Sequence, residues 1–171
     1  MKTEALSAVE VINMHLNRHY EADQRADAVV EMLLENEISS ADFWPLLRGL
    51  WGGFEKIDHT MFVHAMGVEK RKSRWIPTTE WLLLPKEISV YRGQSLGKEV
   101  GLSWTTNFGL AVDYAIGCHG LSAKTQIILE TRVPKSAVAI VLDEGEPTEL
   151  VLWKAPRIAD CVVTQISSVA H

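Results

Sequence analysis

Two periodicities divide this chain, and any fold must satisfy both. In the first part, apolar residues recur every three or four positions. Ala5, Val9, Ile12 and Leu16 form one such series, and Ala22, Ala26, Val29, Val30, Leu33 and Leu34 form another. That spacing predicts amphipathic helices. Ser39 or Ser40 is placed to cap a third helix carrying Phe43, Leu46, Leu47, Leu50 and Trp51, with Pro45 in its first turn and Gly52-Gly53 as its stop. A fourth is expected from Asp58 to Met66, stopped at Gly67, and a short fifth through Trp81 after Ile76-Pro77-Thr78-Thr79. The helices are expected to pack through Leu33, Phe43, Leu47 and Trp51.

The second part reads as strands. Ile88 to Tyr91, Leu102 to Thr105, Gln126 to Val133, Ala137 to Leu142, Thr148 to Trp153 and Cys161 to Ile166 are short and rich in β-branched residues. Asn107 to Ile116 interrupts them with helical spacing, placing Phe108, Ala111, Tyr114 and Ala115 on one side. Short strands with few intervening helices predict a mostly antiparallel α+β fold. The expected organisation is a helical region over 1–86 packed on a β-rich core over 87–171, together one compact unit.

Composition excludes several functions. The net charge of −5 and pI near 5.7 argue against a nucleic-acid partner, which calls for clustered cations. The one basic cluster, Lys70-Arg71-Lys72 with Arg74, reads as a solvated loop. Cys118 and Cys161 form no CxxC pair, His119 has no companion ligands, and His15 and His19 read as helix surface, so no metal is expected. Met1 to Glu10 lacks the apolar core of a signal peptide, and no apolar run reaches a membrane span. A soluble, cytoplasmic protein without membrane contact is the expectation. The glycine patterns of dinucleotide and P-loop sites are absent, as is a GxSxG elbow.

Polar residues beside apolar strands mark the candidate site. Arg92 follows Ile88, Val90 and Tyr91, and it precedes Gly93. Its planar fork suits phosphate or carboxylate, or an acid at a sheet edge; Gly93 permits close backbone approach or a turn. Ser103 and Thr105 share one face of a strand, and Trp104 takes the other. They serve as ligand-orienting hydroxyls or as ordinary strand formers, and Thr106 or Asn107 as a helix cap. Glu144 reads as part of a solvated turn, whereas Glu149 opens the apolar run Leu150-Val151-Leu152-Trp153.

The order Arg92, Ser103-x-Thr105, Glu149 resembles the R-S-E class of ADP-ribosyltransferases. The stretches VYRG, GLSWTTNFGLAVDYA and TRVPKSAVAIVLDEGEPTELVL, between Ile88 and Trp153, resemble phage and prophage proteins of that type. The resemblance implies a split, mostly antiparallel β-sandwich with an NAD+ cleft, in the host cytoplasm if phage-encoded. It implies that Arg92 contacts an NAD+ phosphate and that the Gly93 backbone brackets the nicotinamide carboxamide. Ser103 would support Glu149 and the ribose, with Thr105 as the second hydroxyl. Phe108 or Tyr114 would stack on nicotinamide, and Glu149 would engage the nicotinamide ribose. The activity implied is mono-ADP-ribosyl transfer to a protein or other macromolecular acceptor. Arginine-modifying members carry Glu or Gln two positions before the catalytic glutamate. Here that position is Pro147, with Glu146 one residue earlier, which leaves the acceptor open. It also leaves NAD+ hydrolysis, or binding without turnover, as alternatives.

Overall fold

The computed structural model describes residues 6–54, 57–72, 75–117, 125–142 and 149–166. The chain divides into two compact units, Met1–Ile76 and Pro77–His171. In the first, α1 (Ala8–His19), α2 (Arg25–Leu34), α3 (Ser40–Leu50) and α4 (His59–Lys72) follow the apolar periodicity. Ser7 starts α1 with a reciprocal box: its hydroxyl accepts from the Glu10 amide, and the Glu10 carboxylate accepts from the Ser7 amide. The Ser7 amide and the Ser7 hydroxyl both donate to that carboxylate, which holds the Glu10 carboxyl below its usual range. Ser39 is the cap of α3. Leu33, Phe43, Leu47 and Trp51 are all buried, as the spacing predicts, and Phe62 meets Trp51 edge-on at 5.5 Å.

Two helix details differ from expectation. Pro45 lies inside α3, beyond the first turn, on an exposed face. The lost amide donor there costs one intrahelical bond, which the buried Phe43, Leu46 and Leu47 outweigh. Gly67 does not stop α4, which continues to Lys72 because Phe62, Met66 and Glu69 continue one buried stripe. The basic residues Lys70 and Arg71 therefore lie in the last turn of a helix rather than in a loop, where cations suit the negative end of its dipole.

In the second unit, α5 (Thr79–Leu83) is followed by β1 (Glu87–Ser95), β2 (Ser103–Thr105), α6 (Phe108–Gly117), β3 (Gln126–Pro134), β4 (Val138–Val141), β5 (Glu149–Leu152) and β6 (Val162–Ile166). The division at 76/77 replaces the expected boundary at 86/87, because α5 is pinned to the sheet. Its Trp81 indole donates to the Val138 carbonyl at 3.0 Å. Lys135 lies 4.5 Å over the Trp81 ring and donates to the Leu82 carbonyl.

The strands form one antiparallel sheet in the order β4-β5-β2-β1-β3-β6. This is an α+β arrangement, in a single sheet where the resemblance implied a sandwich. The pairing within it is uneven. β1 and β3 pair along nine positions, whereas β1 and β2 meet only at Tyr91 and Thr105. One face carries the main core of Ile88, Val90, Trp104, Leu129, Leu150 and Leu152. On the other face α6 lays Ala111 and Ala115 against Ile128.

Gly93 makes that helix contact possible. A Cβ built there would stand 1.9 Å from the Ala111 carbonyl oxygen and 2.7 Å from the Ala115 amide nitrogen. Both are backbone atoms, which cannot turn aside as a flexible side chain would. Gly93→Ala is therefore expected to destabilise the protein by about 1–3 kcal/mol or more, as overpacking does. Gly49→Ala is the contrast: it lies in α3 with open space around it and should stabilise by ~0.5–1 kcal/mol. Urea unfolding of both variants checks the pair. Equal, small effects would remove the packing role assigned to Gly93.

Candidate functional site

The site is built around one row of the sheet. Thr105 pairs with Tyr91 on one side and with Glu149 on the other. Directly paired residues share a face, so Tyr91, Thr105 and Glu149 stand together on the side covered by α6. Ser103, two residues before Thr105, shares that face and pairs with Val151.

Local chemistry sets α6 beside the row. The Thr105 hydroxyl accepts from the Asn107 amide at 3.1 Å, and the Asn107 side chain accepts from the Leu110 amide at 3.0 Å. Asn107 is thus the residue that caps α6. Two aromatic rings follow from this start. Phe108, 48% exposed, meets Tyr91 edge-on at 5.6 Å. Tyr114, 42% exposed, donates its hydroxyl hydrogen to the Glu149 carboxylate. Glu149 is half-buried at the start of β5.

Arg92 is placed differently from the other candidates. It sits inside β1, which runs on to Ser95, and not at the end of a strand. It pairs with Leu129, whose side chain belongs to the main core, so alternation directs Arg92 to the face opposite Glu149. Its Nη1 donates to the backbone carbonyl of Ser103 at 2.7 Å, and its Nε donates to the Gln94 side chain at 2.9 Å. Gln94, only 4% exposed, in turn donates to the Lys98 carbonyl.

The Ser103 carbonyl explains this arrangement. The Leu102 carbonyl accepts from Leu152 on the β5 side, so that of Ser103, one residue on, points toward β1. β1 has already diverged from β2 there, and the Arg92 guanidinium takes the place of the missing ladder donor. Arg92 and Ser103 are therefore brought together, but through the serine backbone. Ser103, Thr105, Glu149, Phe108 and Tyr114 share the α6 side. The close approach that Gly93 permits is taken by α6 itself.

Two contributors were missed in the sequence. Tyr91 has the sequence signature of an ordinary strand former, and Gln94 carries no local signal by itself. A glutamine two residues beyond a strand arginine, on the same face, was the available signal for the second. Glu144, Glu146, Pro147, Cys118, His119 and Arg74 lie outside the described residues. Among the described residues no group of three or more His, Cys, Asp or Glu could hold a metal ion, and no helix is long and apolar enough to cross a membrane.

Comparison with protein-family models, with curated proteins and with solved structures found no match. What fold and site define is a class: an antiparallel α+β unit with a strand-borne carboxylate flanked by hydroxyls and exposed aromatics.

The brace assigned to Arg92 has a measurable consequence. Arg92→Ala leaves a backbone acceptor and the buried Gln94 without their charged donor, and such bonds contribute about 1.5–3 kcal/mol. Arg92→Lys should recover little, since one ammonium does not reproduce the fork that meets both partners. Urea unfolding of the two variants checks this; a neutral Arg92→Ala would rule the brace out.

Proposed function

We propose that this protein is a mono-ADP-ribosyltransferase, which cleaves the nicotinamide–ribose bond of NAD+ and transfers ADP-ribose to a protein or other macromolecular acceptor. The observation that carries the reading is the row Tyr91–Thr105–Glu149 beneath the aromatic residues of α6. A carboxylate next to strand hydroxyls suits a ribose diol, and an exposed ring beside it suits a flat heterocycle.

The chemistry fits the groups present. As the C1′–N bond breaks, its electron pair leaves with nicotinamide, and positive charge builds on the ribose, as in glycoside cleavage. Glu149 would stabilise that charge more than it stabilises the ground state. Nicotinamide departs neutral and needs no general acid. The acceptor nucleophile then bonds to C1′ and gives up its proton. Ser103 and Thr105 would orient the ribose, and Phe108 is the ring better exposed for stacking, since the Tyr114 hydroxyl is directed to Glu149. Arg92 would hold Ser103 in register, a positioning role in place of the phosphate contact implied by the resemblance.

A second reading has its own support. Tyr114 already donates to Glu149, and Arg92 is engaged by Gln94 and Ser103. A site whose polar groups satisfy one another fits an ADP-ribosyltransferase-like fold that binds without turnover. Incubation with NAD+ labelled in its ADP-ribose part separates the readings. Labelled macromolecule is the expected product; free ADP-ribose would instead make the protein an NAD+ glycohydrolase, and neither product would favour the binding role. Glu149→Gln keeps the shape and removes the charge, so it should spare NAD+ binding and lower turnover by ~100-fold or more. Unchanged turnover in Glu149→Gln would displace Glu149 from the chemistry.

A further inference from the structure

The end of the sheet at β6 carries an inference independent of the NAD+ reading. β6 pairs on one side with β3 and is the last strand in the sheet order. Val162 is 65% exposed and Val163 42% exposed. Open edges are normally protected by lysine, proline, a bulge or an inward charge, because unpaired backbone groups recruit other strands. Among the described residues, β6 carries none of these protections. The β3–β6 register runs evenly from Gln126↔Ile166 to Glu130↔Val162 without a bulge. Residues 161–170 read CVVTQISSVA, ten positions without a charged residue or proline in a chain that is 23% charged.

The strand is also complementary to itself. An antiparallel partner related by a two-fold axis at Thr164 would set Val162 opposite the partner's Ile166, on the face that also carries Thr164. Val163 would then oppose the partner's Gln165 on the other face, and the two threonines would meet at the axis. Apolar residues thus meet apolar ones on one face, and no like charges oppose each other. An edge of this kind suits a two-fold, isologous contact, in which the same patch serves both subunits.

We propose that β6 is a homodimer interface, through which two copies join their sheets edge to edge about Thr164. The occupant is a second copy of this chain, because the register is self-matching and uncharged.

Light scattering coupled to size exclusion, in reducing buffer so that no disulfide through Cys161 contributes, gives the test. The full chain should run at twice 19.1 kDa. Thr164→Lys places two ammonium groups face to face at the axis and should give a folded monomer. Thr164→Val keeps strand propensity and should remain dimeric. If Thr164→Lys does not fold, Val162→Lys reads the same interface from an exposed position. A wild-type chain that stays monomeric at about 100 µM, and so associates with a dissociation constant weaker than that, would overturn the proposal. So would a dimer that survives both lysine substitutions, or a β6 edge that pairs only with an extended peptide of another protein.

Discussion

The seam between β1 and β2 governs this architecture. Only Tyr91 and Thr105 pair across it, yet it joins the β4-β5-β2 half of the sheet to the β1-β3-β6 half. A seam this narrow leaves backbone groups exposed to desolvation, and an unmet buried carbonyl is costly. Arg92 resolves this by supplying its guanidinium to Ser103, while Gln94 ties the same group to the Lys98 carbonyl. A charged side chain near a core is thereby explained by the sheet itself. Its presence does not depend on a ligand.

The opposite face depends on a different economy of space. α6 lies so close to β1 that its backbone occupies the volume of a Cβ at Gly93. Alanines at 111 and 115 keep the approach small, and the larger Phe108 and Tyr114 reach out to Tyr91 and Glu149. Close packing beneath the helix and an aromatic rim beside the carboxylate are two results of one placement. Any function at this site is therefore coupled to the fit of α6 on the sheet.

The two units are stabilised by different means. The helical unit buries whole side chains such as Leu16, Phe43, Leu46, Leu47 and Phe62, and α1, α3 and α4 begin at side-chain caps. The sheet unit relies on long-range pairing, with α5 held by Trp81 and Lys135 over one side. Local signals dominate the first, and distant partners dominate the second. This difference also explains how unevenly they could be read.

Most helices were legible because 3.6-residue periodicity and capping residues are local properties: Ser39, Thr78 and Asn107 each mark a start that the structure uses. Glu149 at the opening of β5, and Ser103 and Thr105 on one face, were equally readable from alternation. The extent of β1 was not, since Gly93 and Gln94 are poor strand formers locally. Pairing with β3 carries the strand through them. The sequence by itself determined which residues alternate and where helices begin. Only the tertiary structure decided that Arg92 faces away from Glu149, that Gly93 serves a helix, and that α5 belongs to the sheet. Each of those depends on which strand or helix lies opposite, and no local preference encodes that.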